Sequence, residues 1–253
     1  MSSSTIGLVT GGNRGLGRAA ALKLAEAGND VIITYRSGED EAASVVEAIE
    51  AMGRRAVASH LDTTECGAFA AFSESVRHEL DARWGRDTFD FLVNNAGSIV
   101  STPIGGTTEE AFDLMVNVHL KGVVFLTQAL LPRLAEGGRI VNVSTALTRV
   151  VNEHRSVYAA VKSAVDTYSL YLAKELGSRG ISVNTVAPGP VATDFGGGEI
   201  RDNARYREAV AGQAALGRVG EPGDIAGAIV ALLAPGSGWI TAQRVEVSGG
   251  LLL

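Results

Sequence analysis

Ile6-Gly7-Leu8-Val9-Thr10-Gly11-Gly12-Asn13-Arg14-Gly15-Leu16-Gly17-Arg18 runs from a short apolar, β-branched stretch through a glycine cluster into an Ala/Leu-rich segment. Glycine lets the backbone turn tightly and approach an anion with no Cβ in the way. The segment that follows has helical period, so its first N–H groups and the positive end of its dipole point at the same place. A glycine cluster alone is a weak signal, because turns are rich in glycine. Placed after a strand and before a helix, it reads as the phosphate cradle of a first βαβ unit.

The same alternation continues outward from this unit. Strands are predicted near 6–10, 30–35, 56–61, 89–94, 139–143, 181–186 and 244–247. Helices are predicted near 15–27, 39–52, 65–83, 108–135, 156–178 and 222–233. Strand and helix in turn imply right-handed crossovers, hence an α/β fold: one doubly wound, seven-stranded parallel sheet with helices on both faces. No fixed-period repeat or Pro/Ser linker interrupts the 253 residues, which are read as a single domain. One long polar stretch, 188–217, carries Gly196-Gly197-Gly198 and is read as a loop at the substrate side, with the substrate segment at 189–217.

Composition excludes several classes. A net charge of -6 argues against nucleic acid, whose phosphates need basic patches. Cys66 is the only cysteine, so no intrachain disulfide can form, which fits a reducing, cytoplasmic setting. The start, Met1 to Thr5, lacks the basic and apolar regions of a secretory signal, and no uncharged apolar run approaches a membrane span. His60, His78, His119 and His154 have no metal-like spacing; three are read as surface or core, and His154 as a candidate pocket residue.

The residues at strand ends carry the chemistry. The second strand ends in Tyr35-Arg36-Ser37, with no carboxylate where an NAD ribose is usually held. Arg36 and Arg14 there can clamp a ribose 2′-phosphate, which predicts NADP(H); two solvated surface arginines are the plainer alternative. Tyr158 and Lys162 stand one helical turn apart on one face. An ammonium about 4 Å from a phenol, at an effective dielectric near 20, favours the phenolate by roughly 4 kcal/mol before desolvation. Asn94-Asn95-Ala96-Gly97 ends the fourth strand, Ser144-Thr145 the fifth, and Pro188-Gly189-Pro190-Val191-Ala192-Thr193 follows the sixth, all at the carboxyl edge where ligands sit. Asn117 is a polar amide among apolar neighbours in a helix, where it needs a partner if buried.

Together these motifs resemble the short-chain dehydrogenase/reductase family, in its compact members, over nearly the whole chain. The resemblance implies a Rossmann fold, a small carbonyl or alcohol substrate and a homotetramer built on the two long helices, although the sequence leaves a dimer open. It implies that Tyr158 is the acid in reduction, that Lys162 holds the nicotinamide ribose and lowers the tyrosine pKa, and that Asn117 fixes a water reprotonating the phenol. Gly11, Asn13, Arg14, Gly15, Leu16, Gly17, Tyr35, Arg36, Ser37, Asp62, Thr63, Asn94, Ala96, Gly97, Pro188, Gly189, Val191 and Thr193 would line the cofactor cleft. Asp62 would meet the adenine, and Val191 and Thr193 the carboxamide. No metal is expected.

One position departs from the family pattern. A serine usually stands thirteen residues before the tyrosine; here it is Thr145, with Ser144 just before it. Neighbouring strand residues face opposite ways, so Thr145 is assigned the substrate oxygen and Ser144 held as the fallback. NADPH-dependent reduction of a ketone, a 3-oxoacyl thioester or another small carbonyl, is the expected activity. A same-family dehydrogenase working oxidatively and a non-catalytic dinucleotide sensor are the alternatives.

Overall fold

The computed structural model describes residues 4–253. Seven strands form one sheet: β1 (Ile6–Val9), β2 (Asp30–Tyr35), β3 (Ala56–His60), β4 (Phe89–Asn94), β5 (Leu134–Val143), β6 (Ser182–Pro188) and β7 (Arg244–Val247). Every pairing is parallel, in the order β3-β2-β1-β4-β5-β6-β7. The order reverses between β1 and β4, so a crevice opens at their carboxyl ends, where Thr10-Gly11 and Asn95-Ala96 meet. Parallel strands need crossovers, and helices supply them on both faces.

The nine α-helices among the described residues are α1 (Gly15–Glu26), α2 (Glu39–Ala51), α3 (Phe69–Trp84), α4 (Glu109–Val116), α5 (Gly122–Leu130), α6 (Ser156–Leu176), α7 (Glu199–Asp202), α8 (Ala204–Ala211) and α9 (Pro222–Leu233). Successive strand residues point to opposite faces, and both faces are buried. Val9, Val31, Ile33, Val93 and Val141 pack with Leu24 of α1, Val45 and Ile49 of α2 and Ile225 and Ile229 of α9. Ile6, Leu8, Ile32, Leu92 and Ile140 pack with Phe69 and Leu80 of α3, Leu126 and Leu130 of α5 and Leu172 and Leu176 of α6. Beneath the β1–β2 edge, Asp30 is buried but not alone. It accepts from Trp84 Nε1 at 2.8 Å and from the Arg55 amide at 2.9 Å, and pairs with Arg54 at 2.8 Å.

Two segments differ from the sequence expectation. The helix expected over 108–135 is broken in three. A π-helical turn, Asn117–Lys121, separates α4 from α5, and a 3-10 turn carrying Pro132 ends the run at Arg133. Proline cannot donate to a helix interior, so the chain leaves the helix and β5 begins at Leu134 rather than 139. By length and composition the run Glu109–Arg133 passes for a membrane-crossing helix. Its Met115, Val118, Leu126 and Leu130 are buried in the protein instead. The stretch expected as a long loop folds as a 3-10 turn, Phe195–Gly198, followed by α7 and α8. Its glycines are the break between short helices rather than the mark of an irregular loop: Gly196, Gly197 and Gly198 all have positive φ.

Candidate active site

The glycine turn is shaped by two close requirements. Gly15 opens α1 at φ +54, a left-handed conformation that side chains resist. A Cβ on Gly17 would stand 2.0 Å from the Gly11 carbonyl oxygen, so α1 can approach β1 this closely only with glycine there. Asn95 clamps the turn from β4: its Nδ2 donates to the Thr10 carbonyl at 2.8 Å, and Thr10 Oγ1 accepts from the Asn95 and Ala96 amides, each at 2.9 Å. Arg14 caps α1 in extended conformation, and no side chain bonds to that helix end.

Above it lies a cleft of about 710 Å³ lined by Asn13, Arg14, Gly15, Arg18, Asp40, Glu41, Thr193, Asp194 and Arg201, among others. A cleft of this size, bounded by an uncapped helix N-terminus, a glycine cradle and three arginines, fits the phosphates of a dinucleotide. Arg14 is tied across it to Asp194 at 3.4 Å, so an anion entering there competes with a carboxylate. Arg36 is exposed at the end of β2 and is not among the residues lining this cleft. It lies near Asp62. Burial pushes the Asp62 carboxyl up, and hydrogen bonds from Thr64 with the Arg36 charge bring it below its usual range. Asn13 reaches β2's end instead, donating to the Ser37 carbonyl at 2.9 Å. Tyr35 packs edge-on to His60, and Leu16 against the buried core.

Three further residues expected at the cleft have other work. Asn94 Nδ2 donates to Asn142 Oδ1 at 2.8 Å and Thr127 Oγ1 at 3.0 Å, so its side chain cross-links β4, β5 and α5 and is not presented to the crevice. The Thr63 carbonyl packs where Gly122 begins α5; a Cβ on Gly122 would stand 2.5 Å from it. Pro188 ends β6, and the Gly189 amide donates to the Val247 carbonyl at 3.0 Å. Val191 bridges to Gly220, and Thr193 Oγ1 accepts from the Phe195 amide at 3.2 Å at the cleft wall.

At the other end of the crevice, Tyr158 and Lys162 are both buried on α6. Lys162 Nζ donates to the Val143 carbonyl at 2.6 Å and stands 6.0 Å from the Tyr158 ring centre. Burial pushes the phenol up to about 12, and the counterweights are a hydrogen bond with Thr145 and the charge of Arg155. Desolvation also acts on Lys162, pushed down to about 8 despite the carboxylate of Asp166. Where no water competes, each group is driven towards its neutral form. Of the two hydroxyls, Thr145 is brought to the phenol. Ser144 Oγ is buried elsewhere with no partner among the described residues.

From the π-helical turn, His119 packs against this pair. The imidazole lies edge-on to the Tyr158 ring, centres 5.1 Å apart, and its Nε2 sits 2.6 Å from the Ser98 carbonyl. Asn117 is half-buried, with no side-chain hydrogen bond among the described residues. Burial, then the Lys162 charge, holds the imidazole pKa well below its usual value, so it is neutral. Phe195 completes the enclosure, its ring centre 6.2 Å from that of Tyr158. His154 is exposed, with φ +62, and only its backbone carbonyl is engaged, by Thr102.

Comparison with known proteins agrees with this architecture. A family model described as Enoyl-(Acyl carrier protein) reductase matches residues 11–252. The chain is 37% identical to the angucycline C-6 ketoreductase LanV, solved with bound NADP, over 98% of this chain and 95% of that one, with a TM-score of 0.92. It is 35% identical to the promiscuous reductase LugOII, which catalyses keto-reduction at C1 during lugdunomycin biosynthesis, over all of both chains, with a TM-score of 0.93. Among curated relatives, the 3-oxoacyl-[acyl-carrier-protein] reductase FabG of Staphylococcus aureus (strain Mu50 / ATCC 700699) is 32% identical over the full length of both proteins.

Proposed function

This chain belongs to the short-chain dehydrogenase/reductase family of oxidoreductases, and from that footing we propose that it reduces a ketone to a secondary alcohol with NADPH. The observation that carries the reading is the phenol of Tyr158, enclosed by His119 and Phe195 and hydrogen-bonded with Thr145. A protonated acid beside a nascent alkoxide serves reduction; oxidation needs the phenolate first. Bound in the cleft, NADPH supplies the hydride.

The chain's residues do the rest. Tyr158 gives its proton to the carbonyl oxygen, and Thr145 orients that oxygen with its hydroxyl. Lys162 would hold ribose hydroxyls and offset charge as the proton leaves. Arg14 and Arg18 line the cleft and, with the N–H groups of α1, would hold the phosphates. The absence of a carboxylate at the end of β2, with Arg36 standing there, supports NADPH over NADH. So do the NADP-bound relatives.

Two ketone classes fit. Ile99, Val100, Leu147 and Val157 pack with Tyr158, and Phe195 tilts over it, which favours a flat, apolar aromatic ketone. LanV, solved with NADP and rabelomycin, supports the same reading. The likeness to FabG carries a 3-oxoacyl thioester as the second. A homo-oligomer is also proposed. An apolar groove of about 460 Å³, lined by Phe112, Val116, Leu120, Val157, Ala160 and Ala164 among others, suits a second copy of the same helices.

The test is NADPH and NADH oxidation over a panel of polycyclic ketones, simple ketones and acetoacetyl thioesters, with the mass in solution measured on the same sample. Turnover with NADPH on the aromatic ketones and a multiple of 26.2 kDa are expected. NADPH binding with no ketone reduced would overturn the reductase reading, and a monomer would end the oligomer proposal.

A further inference from the structure

His119 is unusual in being fully enclosed and only half bonded. A carbonyl only accepts, so the 2.6 Å contact with Ser98 O requires Nε2 to carry the proton. The Ser98 amide, 3.4 Å from the same nitrogen, is left out of that bond. Nδ1 is then a bare lone pair, buried, with no hydrogen-bond partner among the described residues. A buried acceptor left unpaired costs about 1–3 kcal/mol, so its persistence beside reactive groups calls for a reason.

The complementary deficit is close by. Lys162 Nζ has three donors, and one goes to the Val143 carbonyl. Among the described residues no other acceptor takes the remaining two. Its charge acts on the imidazole, and the imidazole edge touches the Tyr158 ring. Gly97 presses on the ring from behind, where a Cβ would come 3.0 Å from His119 Cε1, so the imidazole has one pose.

We propose that His119 is a positioning residue for the Tyr158–Lys162 pair. Ser98 locks its tautomer, its edge meets the phenol ring, and Nδ1 accepts from the Lys162 ammonium across one water. The inference rests on Tyr158 and Lys162 being the working pair. Its consequence is electrostatic. An acceptor on Nζ stabilises the charged lysine, opposing the burial that pushes it down to about 8. The other groups facing Lys162 are Tyr158 and Asp166 on its own helix, the latter paired with Arg244 of β7 at 3.2 Å; Arg155 acts on the phenol.

His119→Phe keeps an aromatic edge against Tyr158 and deletes Nδ1; His119→Asn restores an acceptor without the ring. The first readout needs neither cofactor nor turnover: nitrogen-15 NMR of the free protein. Wild-type His119 is expected as the neutral Nε2–H tautomer through its ordinary titration range. The Lys162 titration should move about one pH unit lower in His119→Phe and return in His119→Asn. The second readout is kinetic. The alkaline fall in kcat/KM should shift with Lys162, and kcat should drop roughly 10-fold in His119→Phe with KM for NADPH unchanged. An Nδ1–H tautomer, a His119 titrating near its ordinary value, or a Lys162 titration identical in wild type and His119→Phe would overturn the proposal. A wild-type enzyme inactive on every carbonyl would refute the reductase reading while leaving the NMR test of His119 decisive.

Discussion

The two ends of the crevice are built on opposite principles. At the glycine turn the charges are out in solvent: the Arg14 side chain is 62% exposed and its partner Asp194 39%. Such a pair contributes little to stability and exchanges partners readily. At the Tyr158 end, the phenol, ammonium and imidazole are all buried, and burial is the largest influence on each. One end holds a charged ligand through interactions that form and break cheaply. The other excludes water so that one proton has one place to go. Binding and chemistry are thereby separable by mutation.

That separation makes the predictions unequal. Tyr158→Phe removes the proton donor alone and should lower turnover by about 10³-fold, with NADPH affinity, read by fluorescence titration, unchanged. Loss of both would mean that the two ends are not independent. Arg14→Ala with Arg36→Ala should act the other way. NADPH affinity should fall roughly 10- to 100-fold, as charge-assisted bonds of about 1.5–3 kcal/mol are lost, while NADH affinity and kcat stay near wild type. Equal losses for both cofactors would show that neither arginine reads the 2′-phosphate.

The same contrast explains what the sequence made legible. The sheet and the glycine turn were readable because each rests on local chemistry: short continuous β-branched runs, and glycines at positions where a Cβ has no room. Tyr158 and Lys162 were readable from a spacing of one turn. His119 was passed over because an amide among apolar residues draws attention by its polarity, whereas helix phase decides which side chains are buried. Met115, Val118, His119, Gly122, Val123 and Leu126 are all buried and follow the three-four spacing of one helical face. His119 is in that register and Asn117 is out of it, so the signal was present in the periodicity. The π-helical turn was not, because one extra residue in a helix leaves no compositional mark. Nor was the state of the phenol. A sequence gives the distance along a helix from tyrosine to lysine but not the depth of burial, and burial is the largest influence on the phenol.

The phenol's own titration tests this account most directly. An ultraviolet difference titration of wild type against Tyr158→Phe isolates one tyrosine from the other four. Its ordinary value is 10.0, and the account predicts no ionisation assignable to Tyr158 until well above that, towards about 12. A Tyr158 phenolate already formed near neutral pH would contradict it and would make the site a base awaiting an alcohol.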